Sequence, residues 1–143
     1  DRDIGGGMTG VGPILVIGFT DFGEVVDNPA ACLARAVDAE KVGRTRVVGR
    51  TMPVSYVRST ALTCEIAAEI GAREVIGIGV ARRREVTLVE RQGRWACSGI
   101  PDVDGSLSPR TDGEIVAASD RSVLLATGIG CGLSEDAGAY VCN

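Results

Sequence analysis

The sequence predicts a single-domain, three-layer α/β/α fold around a mostly parallel, twisted sheet, and three observations carry that expectation. The run Pro13-Ile14-Leu15-Val16-Ile17 is continuously apolar rather than alternating, as in a strand buried on both faces of a parallel sheet, and Glu74 to Val80 is another apolar run, interrupted by Gly77 and Gly79. Between the strands lie segments whose apolar residues recur at helical spacing. The order strand, helix, strand, helix, strand is a βαβαβ unit, and short right-handed crossovers make such a unit a parallel sheet with helices on its faces.

Each element has its own signal. Residues 1–12 are Gly-rich and unpatterned, and Gly5-Gly6-Gly7 before Met8 reads as a leader or vector remnant ahead of the domain at 13–143. A phosphate loop is disfavoured there, because no strand precedes it and no G-K-[ST] follows. Pro13 to Ile17 is the first strand, closed by Gly18. Gly18 to Asn28 forms the loop at its carboxyl end, where open α/β sheets place ligands. That loop carries both phenylalanines, Phe19 and Phe22, which either cap the core or wall a site. Asn28 as N-cap and Pro29 at the first helical position open a helix through about Glu40, with Ala30, Leu33, Ala34 and Val37 as its apolar stripe.

Gly43 ends that segment, Thr45 to Met52 is the second strand, and Pro53 stops it. Ser55 caps a helix to Ile70, in which Leu62, Ile66 and Ile70 are spaced by four and Gly71 follows as the C′ residue. Glu74 to Val80 is the third strand. Arg82-Arg83-Arg84 reads as a solvated loop, and Glu85 to Trp95 alternates as one strand. Val86, Leu88 and Glu90 share a face of it, so Glu90 is either a strand-end surface charge or a partnered, functional carboxylate. Ile100-Pro101-Asp102-x-x-Gly105 is turn chemistry with no reactive role assigned. Thr111-x-x-Glu114 reads as a capping box opening a helix over 115–118. Ser119 or Asp120 caps a short helix over Val123 to Thr127, and Gly130 to Ser134 is a late strand.

Composition narrows the function. A hydrophobic content of 45 % with 24 % charged residues is ordinary for a globular domain, and 143 residues make one core. With 3 % aromatics, that core is built from Val, Ile, Leu and Ala. A net charge of −4 provides no footprint for nucleic acid or an anionic membrane. No apolar run reaches a membrane span and no signal-peptide pattern opens the chain. Five scattered cysteines without C-x-x-C argue against a disulfide framework or a zinc site and for a reducing, cytoplasmic setting. No metal or cofactor is implied.

One cysteine stands out. Cys142 follows the small-residue turn Ala137-Gly138-Ala139 and the residues Tyr140-Val141. At a strand-to-helix turn, the free N–H groups of a helix start would lower a thiol pKa and hold an oxyanion. A buried structural cysteine is the plainer reading.

Ser134 to Asn143, read as S-x-x-A-G-x-Y-V-C-N, resembles the nucleophile segment of the pyrrolidone-carboxyl peptidases. These are type I pyroglutamyl peptidases, cysteine peptidases that remove an N-terminal pyroglutamate. Gly18-Phe19-x-x-Phe22-Gly23 with Asn28-Pro29 resembles the family's G-F-x-P-F-G…N-P, with Asp21 in place of the usual proline and Glu24 where a second glycine is common. Met52-Pro53-Val54-Ser55-Tyr56 is similar to L-P-V-S-F, Glu90-Arg91 to E-R, Ile100-Pro101-Asp102 to I-P-D, and Asp112-Gly113 to a short signature. Arg84 falls where the family has an arginine. Val80 stands where its best-known members carry a glutamine proposed to contact the lactam. The resemblance covers nearly everything from Ile14 to Asn143, and it implies an extended rather than helical segment after Glu114.

What the resemblance implies is acyl transfer on N-terminal pyroglutamyl peptides. Cys142 would attack the carbonyl, Glu90 would orient a histidine base, and Arg91 would lie near the oxyanion. Phe19 and Phe22 would bind the pyrrolidone ring. Family members often self-associate, so a homo-oligomer is one expectation. The 143 residues contain no histidine, and the family's histidine lies beyond the helix that begins near the cysteine. The domain is therefore read as lacking its C-terminal part, with weak or no activity by itself. The alternative is a non-catalytic α/β module that binds a small ligand or a protein near Phe19 and Phe22, with Cys142 unreactive. A nucleotide-binding domain rests only on Gly-rich loops and the sheet type.

Overall fold

The computed structural model describes residues 12–80, 87–90, 92–94, 99–108, 115–117, 131–134 and 141. Its centre is β1 (Ile14–Phe19), flanked in parallel by β3 (Thr45–Met52) and β4 (Glu74–Ile78). The register runs Ile14↔Val47 to Phe19↔Met52 on one side and Ile14↔Glu74 to Gly18↔Ile78 on the other. The strands therefore end together, and the loops after β1 and β3 leave from one edge.

Helix α1 (Pro29–Ala36) joins β1 toward β3, and α2 (Arg58–Ile70) joins β3 to β4. Alternation along β1 sends its side chains to opposite faces. Ile14 and Val16 pack with Val47, Ala34 and Val37 on the α1 face, while Ile17 and Phe19 pack with Met52, Val54, Leu62 and Ile66 on the α2 face. A helix covers each face of the sheet, as the three-layer expectation requires. No helix among the described residues is long and apolar enough to cross a membrane.

The α1 layer depends on two missing side chains. A Cβ at Gly18 would collide with the carbonyl oxygen of Ala30, and one at Gly49 with that of Ala34. Glycine at these sites lets the helix backbone lie directly on β1 and β3, with Ala30, Ala31 and Ala34 buried.

Several expectations need correction. The first helix ends at Ala36, not near Glu40, and Leu33 in its expected apolar stripe is 48 % exposed. The reason is an unanticipated edge strand, β2 (Lys41–Val42), antiparallel to β3. The Ala39 N–H donates to the Val47 carbonyl at 3.1 Å and the Val47 N–H to the Glu40 carbonyl at 2.8 Å. These bonds draw the chain out of the helix through Ala39 in the left-handed region, φ 67°. Ser55 caps as expected, its Oγ accepting the Arg58 N–H at 3.1 Å, although regular helix begins only at Arg58. Gly71 terminates α2 at φ 62°.

The expected strand from Glu85 to Trp95 is two short strands, β5 (Thr87–Glu90) and β6 (Gln92–Arg94). They separate because they pair differently: β6 runs antiparallel to β7 (Ile115–Ala117), and β5 runs parallel to β8 (Cys131–Ser134). Residues 115–117 are therefore extended, against the capping-box reading and in line with the family resemblance. The leader at 1–11, the arginines at 82–84, the Thr111 to Glu114 box and the helix expected over 123–127 lie outside the described residues.

Gly49→Ala is expected to destabilise the domain by about 1–3 kcal/mol, the usual cost of overpacking a tight contact. A urea titration followed by circular dichroism checks this, and an unchanged midpoint would show that α1 can lift without cost.

Candidate active site

The site residues expected from sequence gather unevenly. Phe19 was expected in a loop, but it is the last residue of β1 and only 6 % exposed, because its ring fills the α2 face between Met52 and Val54. Phe22 is half-buried against the same cluster. Val141 also packs there, from the far end of the chain. Glu90 closes β5, with Ser134 of β8 as its register partner. Arg91 and Cys142 lie outside the described residues.

The loop from Thr20 to Asn28 is braced by hydrogen bonds. Thr20 donates its N–H to the Met52 carbonyl at 3.0 Å, which ties the ends of β1 and β3 together. Phe22 and Val25 exchange backbone bonds of 3.1 and 2.8 Å. Asn28, 2 % exposed, does three things at once. Its Oδ1 accepts the Ala30 N–H at 3.0 Å as the helix cap, its Nδ2 donates to the Thr20 carbonyl at 3.0 Å, and its N–H donates to Asp21 at 2.8 Å. Asp21 thus closes the loop by a hydrogen bond to the Asn28 amide.

A pocket of about 320 Å³ lies on the helix side of this loop, lined by Thr20, Asp21, Asp27, Asn28, Ala31 and Arg35. Neither phenylalanine nor Val141 lines it. Its lining mixes charged, polar and small apolar side chains, and it is distinct from the aromatic cluster.

Sequence reasoning missed Asp102. Its side chain, expected to do nothing beyond a turn, is buried and accepts three backbone N–H groups: Tyr56, Asp104 and Ser106, each at 2.9 Å. Burial alone would raise its pKa, but the amides of Tyr56, Ser106 and Asp104 outweigh it and hold the carboxyl below the usual range. Asp-x-x-Gly is a visible turn signal; that the carboxylate reaches Tyr56, 46 residues earlier, is not visible in sequence. Beside it, Arg58 grips Asp104 bidentately at 2.8 and 2.7 Å. Hydrogen bonds from Arg58 and Ser55 hold the Asp104 carboxyl low, despite opposing desolvation.

A pyroglutamyl peptidase family model matches residues 13–143. The chain belongs to that family. Similar members include the pyrrolidone-carboxylate peptidase of Mycobacterium marinum, 31 % identical over 91 % of this chain and 65 % of its own length. That of Pyrococcus furiosus is 28 % identical over 91 % of this chain and 68 % of its own. Among solved structures, pyrrolidone carboxyl peptidase from Thermococcus litoralis superposes with a TM-score of 0.79 at 29 % identity, over 92 % of this chain and 64 % of that one. The Pyrococcus furiosus structure gives 0.73 at 26 % identity. The chain thus spans about two thirds of the length of these family members.

Two predictions follow from the loop chemistry. Asn28→Ala, which removes both the cap and the Thr20 bond, is expected to cost about 1–3 kcal/mol in a denaturant titration. Asp38 is held low chiefly by the Gly49 N–H, and with Asp102 and Asp104 it makes the folded state bind fewer protons than the unfolded state. Stability is then complete above the unfolded carboxylate pKa and lost as pH falls through the folded values. Melting temperature is expected to drop between about pH 5 and pH 3. Asp38→Asn flattens that slope, and an unaltered slope in that variant would remove Asp38 from the account.

Proposed function

We propose that this domain is the substrate-binding and nucleophile-bearing part of a cysteine peptidase that removes N-terminal pyroglutamate from peptides. The observation that carries the reading is the packing of Val141, the residue before Cys142, against the cluster of Phe19, Met52 and Val54 with Phe22. Val141 and the two phenylalanines thereby meet at the carboxyl ends of β1 and β3, which supports Cys142 as the nucleophile and Phe19 and Phe22 as the ring-binding side chains. The names of the family's members support the same substrate class.

In this reading the Cys142 thiolate attacks the carbonyl that joins pyroglutamate to the next residue. The amine leaves with a proton and water releases the acyl group. Glu90 orients an imidazole, Arg91 lies near the oxyanion, and Phe19 and Phe22 hold the ring. The imidazole is not among these 143 residues, so the base has to come from outside them. The protein acts as a soluble cytoplasmic enzyme, and self-association is part of the proposal.

Two measurements test this. The 143-residue chain is expected to show weak or no turnover of a pyroglutamyl chromogenic substrate, and robust turnover abolished by Cys142→Ser would overturn the assignment of the base. Iodoacetamide is expected to alkylate Cys142 rapidly below about pH 7, as a lowered thiol pKa requires. Cys32 and Cys64 are exposed thiols, so mass spectrometry has to locate the label. A sluggish Cys142 would instead favour the non-catalytic binding module.

A further inference from the structure

We infer that Asp102 is a positioning residue for the ring pocket: its carboxylate fixes the backbone of Val54 to Tyr56 and so the wall that faces Phe19. The inference rests on the peptidase reading and deepens it by naming what shapes the pocket.

Val54 is fully buried in the cluster with Phe19 and Met52, and its position depends on the chain on either side of it. On one side β3 ends at Met52. On the other, no strand or helix continues until Arg58. What spans this gap is the 100–106 loop. Val103 donates its N–H to the Val54 carbonyl at 3.1 Å, and Asp102 Oδ2 accepts the Tyr56 N–H at 2.9 Å. The Tyr56 hydroxyl donates to the Ile100 carbonyl at 3.2 Å. Within the loop, Asp102 Oδ1 accepts the Asp104 and Ser106 amides, its N–H donates to the Ser106 carbonyl at 2.8 Å, and Gly105 turns at φ 77°.

Apolar burial does not hold this loop down. Ile100, Val103 and Leu107 are 57, 48 and 54 % exposed, whereas Asp102 is 7 % exposed. A buried carboxylate that joins two loops through main-chain amides is a rigid brace, since its loss would leave three part-buried N–H groups without this partner. Loss of the brace frees Val54 and loosens the ring site.

The test is alkylation of Cys142 by iodoacetamide in the 143-residue chain, with 2-pyrrolidone as the competing ring and mass spectrometry of the Cys142 peptide as readout. In the unsubstituted chain 2-pyrrolidone is expected to protect Cys142. Asp102→Asn is expected to raise the half-protecting concentration by about fivefold, the scale of one lost hydrogen bond, with the unprotected alkylation rate unchanged. Should Asp102→Asn not fold, Arg58→Ala removes only the exposed clasp on Asp104 and is expected to raise that concentration by about twofold. Absence of protection in the unsubstituted chain overturns the peptidase reading and this inference with it. Equal protection in the unsubstituted chain and the variant overturns the role of Asp102 alone. A variant whose unprotected rate also falls shows a general structural role, which likewise overturns positioning.

Discussion

The contact on which the rest depends is the seating of α1 on bare backbone. Gly18 and Gly49 face the helix without a Cβ, so the carbonyls of Ala30 and Ala34 come down onto β1 and β3 at a distance no side chain would permit. Close packing of this kind is unforgiving, because a filled interior has no slack to absorb an added methyl group. It also fixes where the helix starts. Asn28 must then sit at the end of β1, where one side chain can cap the helix and hold the loop together.

From that contact the candidate site is built outward. The parallel register ends β1 and β3 side by side at Phe19 and Met52, and the Thr20 bond to Met52 locks them. The two loops leaving that edge are each held by a carboxylate bound to main-chain amides, Asp21 for one and Asp102 for the other. Each loop also buries an apolar residue, Val25 in one and Val54 in the other. The aromatic cluster between them is therefore apolar in its contents and polar in its support.

Comparison with other family members shows that the fold is shared at low identity. The fold persists at 26–31 % identity because the sheet and its two covering helices depend on pattern and volume rather than on particular residues. In this chain Asp21 closes the loop after β1 through its bond to the Asn28 amide.

The sequence by itself determined the layers. Continuous apolar strands, the Asn28-Pro29 start, the Ser55 cap and the Gly71 stop are local signals, and each depends on interactions within a few residues. The wording around Cys142 likewise pointed to the family before any geometry. Tertiary structure decided what depends on partners distant along the chain. The first helix stops early because Val47 captures the backbone of Ala39 and Glu40. The strand after residue 86 divides because its halves pair with β8 and β7, and residues 115–117 are extended because β6 supplies their hydrogen bonds. Phe19 is core rather than loop because Met52 and Val54 close over it, and Asp102 braces a loop 46 residues away. Local propensity cannot specify such contacts, since they come into being only when the sheet has brought remote segments to the same edge.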